Sequence, residues 1–317
     1  MGVASNDIFG AGGGDEPATP GSFGQGPPGF RLPAETHVGA VRLEIADLAR
    51  SVDYYDEVLG LRVLDRDAHQ AVLAAHGSVR PLVVLAERPG AAPSPRRGVL
   101  GLYHFAILLP DRASLGRFAR HLADTGVRAG SADHLVSEAF YLQDPDNLGI
   151  EVYADRPRDT WRRMGRQLMM ATDPIDLAGL VDAAGSTPWN GMPLGTAMGH
   201  LHLHVGAIDA AAAFYADALG FDRTVWSYPG ALFLSAGGYH HHLGTNTWAG
   251  VNARAAADGQ ARLAEWTLEL PDAESIGAAA ASLGAAGHAA EREDADVVAR
   301  DPWGTRVRLR VPDPIAR

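Results

Sequence analysis

The sequence predicts an α+β protein with four repeated units arranged as two tandem domains. Residues 40–60 and 200–220 align without a gap, which identifies an internal repeat. Fainter copies of the same frame begin at His104 and at Glu265. Each copy passes from a strand pattern into a helix pattern, so we expect strands and helices to alternate along the chain.

The first and third units open with alternating apolar and polar residues, which predicts a strand. The helical segment that follows carries an aromatic pair, Tyr54-Tyr55 in the first unit and Phe214-Tyr215 in the third. Both segments end at Leu-Gly, where glycine suits the left-handed residue after a helix. These units therefore begin as a strand followed by a helix.

The second and fourth units show the same order. The strand beginning at His104 precedes an amphipathic helix that we expect to end at Gly126, and the strand beginning at Glu265 precedes an alanine-rich helix to Gly284. Both units later reach an Asp-Pro turn, at residues 144–147 and 301–304, followed by a further strand.

These patterns predict four segments along the chain. The first is rich in glycine and proline without periodicity, so it cannot bury enough apolar surface to offset its entropy, and we expect it to be disordered. The third should contain one helix, from Pro174 to Ala184. The predicted segments are a tail at 1–35, an N-terminal domain at 36–158, a linker at 159–195 and a C-terminal domain at 196–317.

Composition limits the function. With 27 Lys and Arg residues against 38 Asp and Glu residues, the net charge of -11 repels phosphate and argues against nucleic acid as a partner. No apolar run is long enough to span a membrane, and no signal peptide is recognisable, so we expect a cytoplasmic protein with no membrane partner. The chain has no cysteine, so any metal must be held by His, Asp or Glu.

Four segments resemble the vicinal-oxygen-chelate superfamily, which includes glyoxalases, bleomycin resistance proteins and extradiol dioxygenases. They are Gly-Leu-Tyr-His-Phe-Ala-Ile-Leu-Leu-Pro at Gly101, Val-Ser-Glu-Ala at Val136, Tyr-Ala-Asp-Arg-Pro at Tyr153 and Gly-Gly-Tyr-His-His-His at Gly237. The likeness is greatest to two-domain bacterial catechol 2,3-dioxygenases. It implies that each unit is a βαβββ unit, that the four units form two glyoxalase-like domains, and that paired units enclose a metal.

The resemblance also implies where ligands can lie: at the start of the first strand of each paired unit, and on the last strand of one. These positions hold Ala40, His104, Glu151, His200, Glu265 and Arg308. Neither predicted domain has a complete set by itself, because alanine and arginine occupy ligand positions. Pairing the second unit with the third gives His104, Glu151 and His200, the set of two histidines and one carboxylate typical of non-haem Fe(II).

Several alternatives stay open at the metal. His202 and His204 share the strand face of His200, so either could replace it. His37 is a further alternative ligand, although it is out of register with the strand that follows it. Fe(II) is the expected ion, and Mn(II) is an alternative because both accept imidazole and carboxylate ligands.

The same resemblance implies the residues that act on the substrate. The segment His240 to Gly244 is similar to a strand of extradiol enzymes whose second histidine is the acid/base residue, which corresponds to His241. Tyr141 lies ten residues before Glu151, the spacing of the tyrosine that hydrogen-bonds the substrate oxygen. His134 is a further candidate, as a second histidine in the pocket. A packing role is the alternative for Tyr141, and a surface or metal-scavenging histidine run is the alternative for residues 240–242.

The function implied is extradiol ring cleavage of a catechol-like diol by dioxygen. A small aromatic diol and dioxygen are thus the expected partners. Assembly into a homo-oligomer is left open. A metal-dependent glyoxalase, isomerase or lyase is the first alternative, although glyoxalase-like chemistry usually adds a second carboxylate ligand. The second alternative is a non-catalytic protein that binds an aromatic compound, because one fold hosts many functions.

Overall fold

The computed structural model describes residues 16–313, and its elements repeat four times. A short strand, β1, lies at Glu16–Pro17. Unit 1 comprises β2 (His37–Ile45), α1 (Leu48–Glu57), β3 (Arg62–Arg66), β4 (Gln70–Ala74) and β5 (Val83–Glu87). Unit 2 comprises β6 (Val99–Leu108), α2 (Arg112–Thr125), β7 (Gly130–Asp133), β8 (Ser137–Gln143) and β9 (Gly149–Asp155).

The second half repeats this order after a connecting segment. That segment contains a 3₁₀ turn (Arg158–Thr160), β10 (Arg162–Met164), β11 (Gln167–Leu168) and α3 (Leu177–Ala183). Unit 3 comprises β12 (Ala197–His204), α4 (Ile208–Ala211, continued by a π-helix at Ala212–Ala218), β13 (Asp222–Val225), β14 (Ala231–Ser235) and β15 (Leu243–Asn246), with β16 (Arg254–Ala255) beyond it. Unit 4 comprises β17 (Arg262–Glu269), α5 (Ala273–Ala285), β18 (Ala290–Glu293), β19 (Asp296–Arg300) and β20 (Arg306–Arg310).

Each unit is thus a βαβββ unit, and the predicted fold class is confirmed. Within every unit the first strand pairs in parallel with the last, and the last three strands form an antiparallel meander. A helix therefore links the first strand to the rest of its unit, as parallel pairing requires a crossover.

Pairing between units joins the two halves of the chain. Strand β6 pairs antiparallel with β12, which gives the sheet order β13-β14-β15-β12-β6-β9-β8-β7. Strand β2 pairs antiparallel with β17, which gives the order β18-β19-β20-β17-β2-β5-β4-β3. Each large sheet thus contains one unit from each half of the chain. The domain bounds 36–158 and 196–317 stay a prediction.

One apolar cluster contains buried residues of all four units, including Leu43, Phe105, Leu203 and Leu268. Burying these side chains is the main favourable contribution to folding, at roughly 1.5–3 kcal/mol for each large aliphatic or aromatic group. Since the cluster is continuous, the two sheets share a common core, which fixes the position of the strands that carry the polar site.

Aspartates begin three of the four main helices. The side chains of Asp47, Asp111 and Asp272 each accept a hydrogen bond from the backbone N–H three residues later. Unit 3 has Ala207 at this position and lacks a side-chain cap. Helix α2 ends at Gly126 as predicted, with φ of 71°, whereas α5 extends one residue beyond the expected Gly284 to Ala285.

The predicted disordered tail does not hold for residues 16–35. Strand β1 pairs with β10, and Ala18, Phe23 and Leu32 are buried. Arg31 also forms an ion pair with the buried Asp222. The prediction from composition was wrong here because a few apolar side chains and one ion pair anchor a segment that is otherwise rich in glycine and proline. Residues 1–15 lie outside the described part of the chain.

The segment predicted as a linker contains the expected helix, shortened to Leu177–Ala183. It also contributes strands β10 and β11, which form a three-stranded sheet with β1. Within the described residues, no helix is long and apolar enough to cross a membrane.

Candidate metal centre

Three adjacent strands, β12, β6 and β9, carry the candidate ligands. His200 pairs with Ala106, and Ala106 pairs with Glu151, so these residues lie in one row across the sheet. His104 lies two residues before Ala106 and therefore projects from the same face. The pairing of unit 2 with unit 3 is what brings the two histidines onto neighbouring strands.

The three side chains converge on one carboxylate oxygen. Nε2 of His104 lies 2.9 Å from Oε2 of Glu151, and Nε2 of His200 lies 3.1 Å from the same atom. One ligand atom from each residue falls within 4.8 Å of the others. All three residues are buried, with 5% or less of their surface exposed. The arrangement matches a facial metal site in donor type and spacing.

The protonation states suit a cation. Burial lowers the pKa of His200 to about 4, although Glu151 opposes this effect, so His200 is neutral near pH 7. Burial alone would raise the pKa of Glu151, but the adjacent His200 and His104 imidazoles outweigh it and hold that pKa well below its usual range. Neutral imidazoles with an ionised carboxylate are the forms that bind a divalent metal.

His104 supplies a direct test of whether a metal fits. Its Nε2 atom is buried and lies close to Glu151, yet the two groups are not aligned for a hydrogen bond and Nε2 has no hydrogen-bond partner. A buried imidazole nitrogen without a partner is costly in an apo protein. A cation between these atoms would satisfy the nitrogen and the carboxylate together, so the residues fit a metal.

The candidate ligands line a cavity of about 330 Å³. Its wall also contains all three of the predicted substrate-contacting residues, His134, Tyr141 and His241. The structure thus brings together every site residue that the sequence analysis selected.

Tyr141 and His134 form a hydrogen-bonded pair. Tyr141 lies on β8, directly opposite Glu151, and its hydroxyl is 2.5 Å from Nε2 of His134. The other nitrogen of His134 is 2.6 Å from the carbonyl oxygen of Ala171, which can only accept, so Nδ1 carries the proton and Tyr141 donates to Nε2. Burial, together with the Glu151 carboxylate, raises the pKa of Tyr141 well above its ordinary value, so the phenol stays neutral.

His241 lies beside the candidate ligand His200, with 4.1 Å between the ring centroids. Its ring also contacts Phe233 on the cavity wall, at 5.0 Å between centroids. Burial and then the neighbouring His200 and His240 lower the pKa of His241 well below its usual value. His241 is therefore neutral near pH 7 and can accept a proton.

The alternative ligands occupy different places. His202 lines the same cavity opposite His104, and its buried Nε2 has no hydrogen-bond partner, but it lies outside the group that surrounds Glu151. His204 bonds to Asn246 through Nδ1, at 2.7 Å. His37 faces another cavity, of about 630 Å³, and pairs with Glu269 at 3.1 Å.

The corresponding positions of the other sheet are filled by an ion pair. Nε of Arg308 lies 2.6 Å from Oε1 of Glu265. Arg308 also pairs with Glu293 and Asp296. Glu265 first, and then these two carboxylates, raise the pKa of Arg308 above that of an ordinary guanidinium. A permanent cation at this position excludes a metal.

Sequence reasoning missed part of the cavity wall. Met170, Ala171 and Thr172 come from the predicted linker, and no pattern in that segment indicated a role in the site. Tyr103 and Trp248 lie at the exposed side of the cavity, with 39% and 40% of their surface exposed. The position of Tyr103 next to His104 was the one available signal for it.

Comparison with known proteins places this geometry in a family. The family model described as the Glyoxalase/Bleomycin resistance protein/Dioxygenase superfamily matches residues 37–152. A protein of Bacillus subtilis (strain 168) named catechol-2,3-dioxygenase is 45% identical over 271 residues, covering 84% of this chain and 94% of that protein. The chain belongs to the glyoxalase and dioxygenase superfamily. The predicted likeness to the catechol 2,3-dioxygenase type within the superfamily is confirmed.

Solved structures of the superfamily share the fold. A crystal structure of a Bacillus subtilis protein described as a candidate dioxygenase matches with a TM-score of 0.62 and 13% identity, covering 90% of this chain and 87% of that one. Glyoxalase I from Zea mays matches with a TM-score of 0.51 and 19% identity, covering 87% of this chain and 92% of that one. At these identities the structures establish the common fold only.

Proposed function

We propose that this superfamily member is an Fe(II)-dependent extradiol dioxygenase that cleaves the ring of an uncharged catechol. The observation that carries the proposal is the convergence of His104, Glu151 and His200 on the wall of one cavity that also holds Tyr141 and His241. The 45% identical relative named catechol-2,3-dioxygenase supports the same reaction.

His104, Glu151 and His200 would hold the ion, because two imidazoles and one carboxylate are the donor set of non-haem Fe(II) oxygenases. When bound, Fe(II) supplies the Lewis acidity that binds a diol and the redox chemistry that dioxygen requires. Mn(II) is the alternative ion with the same ligand preferences. With three ligands from the protein, such an ion would keep coordination positions open for a substrate.

The residues of the wall have separate tasks. His241, neutral and beside His200, accepts the proton of a catechol hydroxyl and later returns it to the opening ring. Tyr141 donates its own proton to His134, so its oxygen is free to accept a hydrogen bond from the substrate. His134 thereby fixes the orientation of the phenol and holds the substrate oxygen in place.

The cavity favours a substrate without charge. Among the described residues that line it, Glu151 is the one acid, and none is arginine or lysine. A carboxylate on the substrate would therefore enter a buried site with no partner, at a cost of several kcal/mol. Phe233 and Trp248 offer apolar surface for a ring or an alkyl substituent.

The single carboxylate among the lining residues also favours an oxygenase over a glyoxalase, isomerase or lyase.

To test the proposal, the protein is loaded anaerobically with Fe(II), mixed with catechol and exposed to air. The expected result is oxygen uptake equimolar with a yellow ring-opened product. Metal binding without oxygen uptake would favour the isomerase or lyase, and a failure to bind metal would favour a binding protein. A cytoplasmic location and a homo-oligomer stay predictions.

A further inference from the structure

A hydrogen-bonded chain of three residues ends at His241. Nε2 of His240 lies 3.0 Å from Oδ1 of Asp155, and Nδ1 of His240 lies 2.7 Å from Nδ1 of His241. Asp155 is the last residue of β9, the strand that carries Glu151. Neither Asp155 nor His240 lines the metal cavity, so any effect on the reaction must act through His241.

When both imidazole rings are neutral, the carboxylate of Asp155 fixes the positions of the protons. A carboxylate can only accept, so Nε2 of His240 carries a proton and donates it to Asp155. In a neutral His240 ring, Nδ1 would then have the lone pair, and Nδ1 of His241 would donate to it. The second nitrogen of His241, Nε2, is left with a lone pair. This is the tautomer that a general base needs.

We propose that Asp155, acting through His240, is a positioning residue that holds His241 in the tautomer whose Nε2 accepts the substrate proton. The inference rests on the proposed function of His241. Without Asp155, His240 can carry its proton on Nδ1 instead and donate to His241. His241 would then have its proton on Nε2 and could not act as a base.

The surroundings of the chain keep it in one arrangement. His240 is fully buried, and the ring of Trp161 packs edge-on against it at 5.6 Å between centroids. Oδ1 of Asp155 also accepts a hydrogen bond from the hydroxyl of Tyr239 at 3.0 Å. That hydroxyl is in turn 2.7 Å from the hydroxyl of Tyr153. The Tyr239 hydroxyl therefore helps to hold the carboxylate of Asp155 beside His240, and the Tyr153 hydroxyl donates to that of Tyr239.

The first test reads the tautomer directly. Two-bond proton–nitrogen correlation spectra of ¹⁵N-histidine-labelled, metal-free protein distinguish a protonated Nδ1 from a protonated Nε2, and the signals absent from His241→Gln identify this residue. We expect a proton on Nδ1 of His241 in the native protein and a shift toward Nε2 in Asp155→Leu. A native His241 with its proton on Nε2 overturns the inference, whether or not any variant folds.

The second test reads turnover. With saturating Fe(II), Asp155→Leu should lower kcat by about 10- to 100-fold with little change in KM, because the base is misprotonated while the substrate contacts stay intact. Asp155→Asn should recover much of this loss, since its amide oxygen can still accept from His240. Asp159→Asn, which removes the same charge from an exposed turn four residues later, should match the native protein.

The outcomes separate this inference from the proposed function. A native protein that consumes no oxygen contradicts the dioxygenase assignment, while the tautomer of His241 is still measured on the metal-free chain. An active enzyme whose kcat is unchanged in Asp155→Leu contradicts the positioning role alone. Equal losses in Asp155→Leu and Asp155→Asn, with metal content unchanged, would also contradict it.

Discussion

The hydroxyl of Tyr55 donates a hydrogen bond to the buried carboxyl group of Asp144, with 3.2 Å between Oη and Oδ2. Tyr215 makes the corresponding bond to Asp301 at 2.9 Å. In each case the tyrosine belongs to the helix of one unit and the aspartate to the turn of the next, which lies in the other sheet. The aromatic pair and the Asp-Pro turn are therefore partners that join the two sheets.

The first prediction concerns pH and stability. Burial raises the pKa of Asp144 from 3.8 to about 7, so folding favours the protonated acid. The stability that this provides is complete below about pH 4 and is lost as the pH rises through 7. Relative to Asp144→Asn, the native protein should lose on the order of 2 kcal/mol between pH 5 and pH 8 in urea unfolding. The exposed Asp53→Asn controls for net charge, and parallel pH profiles of native protein and Asp144→Asn would refute the prediction.

The second prediction concerns the metal ligands. His104→Ala and His200→Ala should each abolish retention of Fe(II), because either change leaves two ligands at a site that needs three from the protein. The measurement is metal content after loading and gel filtration. His204→Ala is the matched control from the same strand, since this residue bonds to Asn246 instead of facing Glu151, and it should retain metal. Full metal content in either ligand variant contradicts the assignment.

The third prediction separates His241 from the ligands. His241→Ala should keep its metal and lower kcat by about 10²- to 10⁴-fold, the usual contribution of general acid–base catalysis. Metal analysis and oxygen uptake are measured on the same sample. Loss of the metal in this variant would mean that His241 is itself a ligand or supports one.

The fourth prediction concerns Tyr141. Tyr141→Phe removes the hydroxyl that bonds to His134 at 2.5 Å while keeping the ring. We expect kcat/KM for catechol to fall by about 10- to 100-fold, since one hydrogen bond to a charged or ionising group is lost. Steady-state oxygen uptake measures the change, and His134→Gln should show a smaller loss. An unchanged kcat/KM in Tyr141→Phe would leave the tyrosine as a packing residue.

The fifth prediction concerns substrate charge. Catechol and alkyl-substituted catechols should be cleaved, whereas a ring carboxylate should lower kcat/KM by at least about 100-fold, because none of the described residues that line the cavity is arginine or lysine. Competing the two substrates in one assay measures the ratio. Comparable rates for both classes would show that the carboxylate finds a partner elsewhere. Thr172 lies on the cavity wall, and Thr172→Arg should supply a partner for the carboxylate. This variant should therefore have a smaller ratio of kcat/KM between uncharged and carboxylated catechols than the native protein.

Much of the fold could be predicted because its signals are local. Alternation along strands and a glycine after a helix depend on neighbouring residues, so they recur visibly along the chain. The same local view failed for residues 16–35, where the anchors of Phe23 and Arg31 lie far along the chain, as the ion pair with Asp222 illustrates. Composition cannot reveal such partners.

By itself, the sequence determined the four units and the set of polar residues that could serve a metal, because unit 1 and unit 4 lack ligands that unit 2 and unit 3 possess. Only the tertiary structure decided how these residues are used. His200, His202 and His204 share one strand face. The register of β12 against β6, together with that of β6 against β9, places His200 in the same row as Glu151. The connecting segment forms part of the cavity wall, and hydrogen bonds link Asp155 to His241 through His240. Both features likewise depend on contacts between residues distant in sequence, which no local pattern encodes.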